Sequence, residues 1–578
     1  MSLVHDALVD ATTLKAQALS LMTTVFVTLV ATFLGYLWWW KRSISTRKSS
    51  RGAAIGNVLP SPVPALPLWM GALGGHTLLI RPEKFQAQLE GWGAEFGEDY
   101  EVTIFGKRVV VLTGLSDIRR VLMLRPSKFK RGLTRAKASW SATELEFIPS
   151  MFFDEGKDWG RSRRLISPNL SGHNVRAMLP IISKIGERLC DRLGAQADAG
   201  EMVDGKEIFE RFTHDVIALT AFGIDVDSIG AAAKGEASPS YDAMESATTT
   251  LMALNLSPMK ILGWRTLSTA LPWVRRAMEH SHRLRDVVQS AIDAVRCESN
   301  KTDSVSGGVN QSHSGASPPQ EAGGARDSDN LAGGMLLRNI VKKSDGDGAS
   351  ERMMFSDVEV QRQAKSLFIA GTETTAFSLA WSIYYLAKNP ERFKRCREEA
   401  LRVAPLSDGM VSTAEKLSEL VFCAAVFKEA LRLRTAAPYL FFHTKADHTL
   451  DTGMKLEKNQ SVCVLARAAS VSDEAFTKGK EFIPERWIEA EREEAIRGKM
   501  EGGGSIRHME EALLSFGGGP RVCPGQDLAR AESTIILAAI CARFDVSLAP
   551  CQSDPPDEVM RFTSGPRAVM LRCTRKDK

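Results

Sequence analysis

A single thiol in an unusual setting is the first feature of this sequence that could do chemistry. The stretch SFGGGPRVCPGQDLARAE, residues 515–532, places Cys523 among four glycines and two prolines, directly ahead of an apolar helical pattern. Glycine lets a backbone approach another group where side chains would collide. Cys523 could therefore be a nucleophile, a metal ligand or a small buried hydrophobic residue. The rest of the chain has to distinguish these roles.

A second polar cluster lies inside an apolar helical pattern. The sequence AGTETT, residues 370–375, brings Gly371, Glu373 and Thr374 into apolar surroundings. Burying such groups costs free energy unless they are paired or functional. An acid beside an alcohol can pass protons, and Gly371 can let the helix open and free a carbonyl. The plain alternative is that the Thr374 hydroxyl bonds a carbonyl one turn earlier.

Two helices must position these groups. The first contains AGTETT; it opens with Ser356 and Glu359 in capping-box spacing and ends before Pro390. The second follows Cys523 closely, so that its N-terminal dipole favours a thiolate. The segment YEVTIFGKRVVVLTG predicts a hairpin of two strands around Gly106. Helical patterns dominate the chain beyond this hairpin.

Several motifs together resemble the cytochrome P450 family of haem-thiolate monooxygenases. FGGGPRVCPG matches F-x-x-G-x-R-x-C-x-G, and AGTETT resembles the oxygen-activating motif of the central helix. KEALR and FIPERW match E-x-x-R and P-E-R-W, and WGRSR resembles W-x-x-x-R. The resemblance covers nearly everything after a proline-rich spacer. It implies the cytochrome P450 fold, which is mainly α with small β sheets.

The resemblance also implies the composition of the site. Cys523 would be the axial thiolate ligand of haem b, and backbone N–H groups of its loop would tune the sulfur. Glu373 and Thr374 would deliver protons to oxygen, with Gly371 opening the helix. The residues implied to bind the cofactor are Trp159, Arg163, His443, Phe516, Arg521, Cys523 and Gly525. A haem propionate is the implied partner of Arg521.

Some of these assignments have alternatives or depart from the family pattern. Trp159 and Arg163 also fit an ordinary helix surface. The family often has D-P-x-x-F before P-E-R-W, whereas this chain has VSDEAF. In the family an arginine commonly follows the E-x-x-R helix and meets a propionate. Here PYLFFHT offers His443 for that role, although a lone histidine could equally be a packed or solvated one. Glu429 and Arg432 are three residues apart on one helix face, and the resemblance implies a structural lock with Arg486.

Composition excludes several other functions. The chain has 578 residues, 44% of them hydrophobic, and a formal charge of +5, which does not favour nucleic-acid binding. It contains no phosphate-loop, zincin or hydrolase-elbow motif. Its nine cysteines form no C-x-x-C pair, so a disulfide framework or structural zinc site is not expected, and a reducing compartment is the default.

The N-terminal region predicts a membrane anchor. Residues 21–40, LMTTVFVTLVATFLGYLWWW, carry no charge. Their length matches the about 20 residues that a membrane-spanning helix needs. Basic residues follow at once, which predicts that the bulk of the protein faces the cytosol. A cleaved signal peptide and a buried core helix are the alternatives. We therefore predict an anchor at 1–51, a spacer at 52–70 and a catalytic domain at 71–578, with a disordered Gly/Ser/Asp-rich insertion at about 300–334.

The resemblance implies partners as well. The chain ends soon after the helix that follows Cys523, so electrons are expected from NADPH–cytochrome P450 reductase in the endoplasmic reticulum membrane, with cytochrome b5 as an optional donor. Arg161, Arg164 and Arg530 are candidates for a docking face, or ordinary solvated arginines. Apolar segments at 140–153, 251–264 and 439–441 predict a lipophilic small-molecule substrate, oxidised with O2. The alternatives are a hydroperoxide isomerase or dehydratase and a non-catalytic haem-thiolate sensor.

Overall fold

The computed structural model describes residues 84–96, 99–104, 107–131, 150–255, 269, 271–306, 334–344, 355–490, 505–561 and 563–576. The predicted anchor and spacer lie outside these residues. Within the described part of the chain, none of the helices combines the length and apolar character needed to cross a bilayer. The N-terminal membrane anchor therefore stays a prediction.

Helices make up most of the described chain, as predicted. In chain order they are α1 Phe85–Phe96, α2 Leu115–Met123, α3 Gly156–Ile166, α4 Gly172–Asp198, α5 Gly205–Phe222, α6 Ser228–Ala233, α7 Pro239–Asn255, α8 Pro272–Ser306, α9 Met335–Ser344, α10 Asp357–Ala387, α11 Pro390–Val403, α12 Ala414–Ser418, α13 Val421–Leu433, α14 Ala466–Ser470, α15 Ser505–Ala512 and α16 Gln526–Arg543. Because α8 runs to Ser306, the first residues of the predicted insertion are helical; residues 307–333 lie outside the described residues.

The strands form small sheets, also as predicted. They are β1 Asp99–Ile104, β2 Lys107–Leu112, β3 Phe129–Arg131, β4 Met202–Asp204, β5 Tyr439–Thr444, β6 His448–Thr449, β7 Lys455–Leu456, β8 Ser461–Leu465, β9 Phe544–Leu548, β10 Glu558–Met560, β11 Ser564–Pro566 and β12 Met570–Arg575. The largest sheet has the order β1-β2-β8-β5-β3 and contains the predicted hairpin, β1 with β2. The order β4-β12-β9 forms a second sheet, and β10–β11 and β6–β7 are separate pairs.

The central helix is α10, and its ends are those predicted. The Glu359 N–H donates to the Ser356 hydroxyl at 3.4 Å, while the Ser356 N–H donates to Glu359 Oε2 at 2.8 Å, which completes the capping box. The helix ends at Ala387, before Pro390. It packs against α5, α13 and α16, and most of its second half is buried. Groups on α10 are therefore held by tertiary contacts from several directions.

The predicted E-x-x-R lock is present on α13. Glu429 and Arg432 are both fully buried, and the Arg432 guanidinium donates two hydrogen bonds, at 2.8 and 2.9 Å, to the Glu429 carboxylate. Arg486 Nε donates to the same carboxylate at 3.1 Å. Two donors were not foreseen: Trp487 Nε1 and the backbone N–H of Ile483, each at 2.9 Å. The lock therefore joins α13 to the P-E-R-W segment.

Candidate active site

The loop around Cys523 is closed by backbone hydrogen bonds. It contains two short 3-10 turns, Leu514–Phe516 and Gly519–Arg521. The Cys523 N–H donates to the Phe516 carbonyl at 2.9 Å, and Gly525 caps the start of α16. Phe516 and Gly525, both predicted cofactor-binding residues, thus lie at the two ends of one tight loop. The loop holds the thiol close to the N-terminus of α16, as the sequence predicts.

The surroundings of the Cys523 sulfur contain several groups that favour a thiolate. Cys523 is half-buried. Burial raises the pKa of the Cys523 thiol, whereas the Gly525 N–H and the positive charges of Arg163 and Arg530 act to lower it. The helix dipole of α16 acts in the same direction as these donors. This set of donors suits a sulfur that carries negative charge.

Two of the predicted cofactor-binding residues meet directly, and a third contacts the loop. The Arg521 guanidinium lies over the Trp159 ring, 4.6 Å from its centroid. Arg163 Nη1 donates to the Val522 carbonyl at 2.8 Å, next to the cysteine. Trp159 and Arg163 both come from α3, four residues apart, so one face of this helix supports the Cys loop. Neither residue belongs to an ordinary solvated surface.

Three guanidinium groups, from Arg125, Arg131 and Arg521, gather beside this loop. Arg125 follows α2 and donates to the Gly518 carbonyl at 3.3 Å, and Arg131 ends β3. Burial and the neighbouring arginines lower the pKa of Arg125 to about 10 and that of Arg131 to about 9. Glu155, 3.2 Å from Arg521 Nη2, is the acid common to all three. Among the described residues the three Nε atoms have no hydrogen-bond partner.

The sequence singled out neither Arg125 nor Arg131. They lie in RPSKFKR, a basic stretch after α2 that has no motif, and only the fold brings it to the Cys loop. A guanidinium group does not lose its proton in proteins, so the lowered pKa values report positive charge held at a cost. This place is therefore suited to binding an anion.

His443, predicted to bind the cofactor, lies on the face of strand β5 that points away from Arg125 and Arg131. In the register of β5 with β3, Arg131 is opposite Phe442 and His443 is opposite Lys130. The Arg125 guanidinium also lies over the Phe442 ring, 4.7 Å from its centroid. Side chains alternate between faces along a strand, so Phe442 faces the arginines and His443 does not. The His443 ring nitrogen Nδ1 is instead 3.1 Å from the Ser461 hydroxyl.

The predicted acid–alcohol pair lies on α10, and each of its side chains has a hydrogen-bond partner in the structure. The Thr374 hydroxyl donates to the Ala370 carbonyl at 2.8 Å, which is the plain alternative. Glu373 is 1% exposed, and its Oε1 accepts from the Thr563 N–H at 2.6 Å and from the Thr563 hydroxyl at 2.5 Å. Burial raises the pKa of Glu373. In this arrangement neither side chain bonds the other.

Gly371 has a packing role in this structure. The helix α10 is continuous through Gly371, so the predicted opening is not present here. A Cβ at this position would lie 2.9 Å from Ile217 Cγ1, because α5 packs closely on α10 there. The glycine thus permits a close approach of two helices.

The chain was also compared with known proteins. The sequence model described as Cytochrome P450 matches residues 60–572. The chain belongs to the cytochrome P450 family. Relatives of this P450 include the chloroplastic carotene epsilon-monooxygenase of Arabidopsis thaliana, 24% identical with 82% of this chain and 78% of the relative covered. Cytochrome P450 3A6 of Oryctolagus cuniculus is 25% identical, with 76% and 80% covered. The 11-oxo-beta-amyrin 30-oxidase of Glycyrrhiza uralensis is 26% identical, with 70% and 68% covered.

Membership makes the protein a haem-binding monooxygenase. The residues of this P450 fit that cofactor. Haem b carries two propionate carboxylates. The cluster of Arg125, Arg131 and Arg521 has an excess of positive charge, and its Nε atoms have no hydrogen-bond partner within the described part of the chain. Cys523 lies close by; burial raises the pKa of its thiol, and the Gly525 N–H, Arg163 and Arg530 act against that effect. The iron and the propionates of the cofactor would thus each have a matching group in the structure.

The glycines of the Cys loop are not equivalent, which leads to a first prediction. Gly519 has φ +64°, and a Cβ there would lie 2.5 Å from the Leu122 carbonyl oxygen. Gly519→Ala is expected to lower the free energy of unfolding by about 2–4 kcal/mol, from a strained φ and a backbone clash. Denaturant unfolding would measure this loss.

The matched control is Gly518→Ala in the same loop. Gly518 has an extended backbone with φ −166°, and its Cβ would meet Leu122 Cβ at an ordinary 3.5 Å. This variant should unfold like the parent. Equal losses in both variants would show that the Gly519 contact with α2 does not limit stability.

Proposed function

We propose that this P450 inserts one oxygen atom from O2 into a lipophilic organic substrate, with electrons from a separate NADPH-dependent reductase. The observation that supports this most directly is a fully buried acid, Glu373, adjacent to Thr374 on the central helix. Members of the family that rearrange hydroperoxides typically lack this pair, and a sensor has no need of it. Haem b, when bound, supplies the activation of O2 by reduction.

Each part of the site has a proposed task in this chemistry. Cys523 would be the axial ligand of the iron, with the Gly525 N–H and Arg163 stabilising its negative charge. Arg521, with Arg125 and Arg131, would bind the propionates, and Trp159 and Phe516 would support Arg521 and the loop. The contacts of His443 with the neighbouring strand do not favour a propionate role for this residue.

Proton delivery is the proposed task of Glu373 and Thr374. Glu373 is fully buried and its pKa is raised by burial, so it can hold a proton that a solvated carboxylate would have lost. The Thr374 hydroxyl can turn from the Ala370 carbonyl and hold a water molecule in hydrogen-bond reach of the reacting oxygen. Gly371 has no side chain, and this would let the helix α10 open locally and free a backbone carbonyl.

The propionate proposal can be tested at Arg131. Arg131→Gln is expected to speed haem dissociation by about 10- to 100-fold, because an anion-binding group is lost from around the cofactor. The same change removes one of three like charges, so it should not lower the thermal midpoint of haem-free protein. Haem transfer to an excess of a haem-scavenging apoprotein would measure the dissociation rate.

The matched control is Arg108→Gln. The Arg108 side chain is 72% exposed and pairs with Glu101 at 2.7 Å, away from the Cys loop. Its haem dissociation rate should equal that of the parent. If the two variants lose haem equally fast, Arg131 does not bind the cofactor.

Reconstitution with NADPH and a microsomal P450 reductase tests the overall reaction and the role of Thr374. With a lipophilic substrate, the parent should form an oxidised product as NADPH is consumed. Thr374→Ala should keep haem and NADPH oxidation but release more hydrogen peroxide, and product per NADPH should fall at least about twofold. The control is Ser382→Ala. The Ser382 hydroxyl, two turns further along α10, also donates to the carbonyl one turn earlier, at 2.7 Å.

The outcomes of this assay separate the alternatives. Haem binding without substrate-dependent NADPH oxidation would indicate a sensor, and conversion of a hydroperoxide without NADPH would indicate an isomerase or dehydratase. If Thr374→Ala couples as tightly as Ser382→Ala, Thr374 is a packing residue and the proton path lies elsewhere.

The substrate class is proposed from apolar sequence and from relatives. The names of two relatives refer to carotene and to 11-oxo-beta-amyrin, both lipophilic. Among the predicted pocket segments, Tyr439 and Phe441 pack against Phe85, with ring centroids 5.2 and 6.4 Å away, and so belong to the core of the largest sheet. Residues 140–149 and 256–264 lie outside the described residues. Spectral shifts across a panel of lipids would identify the preferred class.

The reductase and the location in the endoplasmic reticulum membrane are proposed from the N-terminal sequence and from charge near Cys523. Arg164 is exposed on α3, and Arg530 lies over the Phe516 ring at 5.2 Å. Arg161 is ion-paired with Glu359, which makes it the weakest of the three docking candidates. Relatives include chloroplastic proteins, so location needs its own test. In intact microsomes, protease added outside should digest the catalytic domain; full protection would contradict a cytosolic orientation.

A further inference from the structure

The tip of the β10–β11 hairpin sits on the central helix at the predicted proton donor. The N–H and the hydroxyl of Thr563 both donate to Oε1 of Glu373, at 2.6 and 2.5 Å. Glu373 Oε2 is buried and has no hydrogen-bond partner among the described residues. The carboxyl group is therefore held through one oxygen, and the other oxygen is left available.

Three further contacts fix the position of this tip. Arg561 donates from Nη1 to Glu210 Oε1 on α5 at 3.1 Å, and from Nη2 to Glu245 Oε1 on α7 at 3.0 Å. A Cβ on Gly565 would lie 2.1 Å from the Phe377 ring, so β11 can lie against α10 only because this residue is glycine. The hairpin tip is thus tied to three helices.

The charged groups around Glu373 come from each of these elements. Arg561 of the hairpin acts to lower the pKa of Glu373, and Glu210 of α5 acts to raise it. Glu245 of α7 pairs with Arg561 Nη2 at 3.0 Å. Glu210 also pairs with Lys206 Nζ at 3.0 Å. The Thr563 hydroxyl is the closest of the neighbours that stabilise the charged form.

We propose that Thr563 is a positioning residue that aligns Glu373 for proton transfer and sets how readily this acid gives up its proton. The inference rests on the proposed role of Glu373 as a proton donor. Two donors on one oxygen restrict the rotation of a carboxyl group, which would otherwise sample several orientations. Proton transfer requires such alignment, because donor and acceptor must be within hydrogen-bond reach. Loss of the hydroxyl leaves the backbone N–H as a single, weaker restraint.

The test uses the reconstituted holoenzyme with Thr563→Val and Thr563→Ser. Valine has the shape of threonine without the hydroxyl, and serine keeps the hydroxyl. Thr220→Val is the control, because Thr220 is fully buried and its hydroxyl donates within α5, to the Val216 carbonyl at 2.6 Å. We expect product per NADPH to fall at least about twofold in Thr563→Val, with more hydrogen peroxide released. Thr563→Ser and Thr220→Val should both retain the coupling of the parent.

A second readout does not depend on turnover. The infrared band of the protonated Glu373 carboxyl can be assigned by its absence in Glu373→Gln and then titrated with pH. Removing a hydrogen bond to the charged form favours the neutral acid, so the band should persist to higher pH in Thr563→Val than in the parent and Thr563→Ser. A general loss of stability would not move this band selectively.

The outcomes distinguish failure of this inference from failure of the proposed function. If the parent forms no product with NADPH, the proposed function fails, while the infrared titration still reports on the Thr563–Glu373 contact. If the parent is active and Thr563→Val matches it in coupling and in carboxyl titration, Thr563 does not position Glu373. Equal uncoupling in Thr220→Val and Thr563→Val, without a shifted band, would assign Thr563 to packing alone and overturn the inference.

Discussion

Replacing Cys523 by alanine is expected to abolish the absorption band of the reduced, CO-bound protein from which the family takes its name. That band depends on a thiolate ligand, and Cys523 is the cysteine held near the N-terminus of α16 by the closed loop. Burial raises the pKa of its thiol, while the Gly525 N–H and Arg163 act to lower it and would stabilise a charged sulfur. The effect should be a complete loss, since no other cysteine of the described chain lies in this loop.

The control for this experiment is Cys551→Ala. Cys551 is exposed and lies after β9, outside the Cys loop, so its removal should leave the band unchanged. An unchanged band in Cys523→Ala would contradict the assignment of the haem site. A lost band in Cys551→Ala would show that the assay reports on general damage to the protein.

The second large effect is expected at the lock on α13. Glu429 accepts hydrogen bonds from Arg432, Arg486, Trp487 and the Ile483 N–H, and both Glu429 and Arg432 are fully buried. Glu429→Ala would leave the Arg432 charge buried without its carboxylate. Breaking a buried pair on one side typically costs about 3–5 kcal/mol, which is a large part of the stability of a domain. Folded, haem-loaded protein should become scarce, and its unfolding should need much less denaturant.

A surface pair provides the comparison. Glu419 pairs with Arg402 at 3.1 Å, and these side chains are 53% and 59% exposed. Glu419→Ala should change the free energy of unfolding by no more than about 1 kcal/mol, because water and salt screen an exposed pair. If both glutamate variants unfold alike, the lock is not a main source of stability.

The sequence was informative wherever a function depends on residues that are close along the chain. The capping box of Ser356 and Glu359, the hairpin of β1 and β2 and the loop around Cys523 follow from short-range spacing. Trp159 and Arg163 lie on one helix face for the same reason. The contact of Glu429 with Arg432 likewise follows from their spacing of one helical turn. The hydrogen bonds that Glu429 accepts from residues 483–487 come from another segment.

The interpretation of His443 shows where this reasoning stopped. The resemblance suggested a propionate-binding residue on this strand, but a shift of one residue moves a side chain to the opposite face. The register of β5 with β3, which no local pattern records, places Phe442 beside Arg125 and turns His443 towards Ser461. The arginines that gather beside the Cys loop, Arg125 and Arg131, come from a basic stretch without any motif.

The sequence by itself determined the family, the cysteine loop and the central helix with its acid and alcohol, because each is encoded by residues within one helix or one loop. The tertiary structure decided which groups these residues face. Thr563 and Glu373 are 190 positions apart, and Arg163 and Val522 are 359 apart. The need for glycine at position 519 comes from the backbone of α2, and the need for glycine at 371 comes from Ile217 of α5. Contacts over such separations follow from how helices and strands pack, and helical or strand periodicity contains no record of that packing.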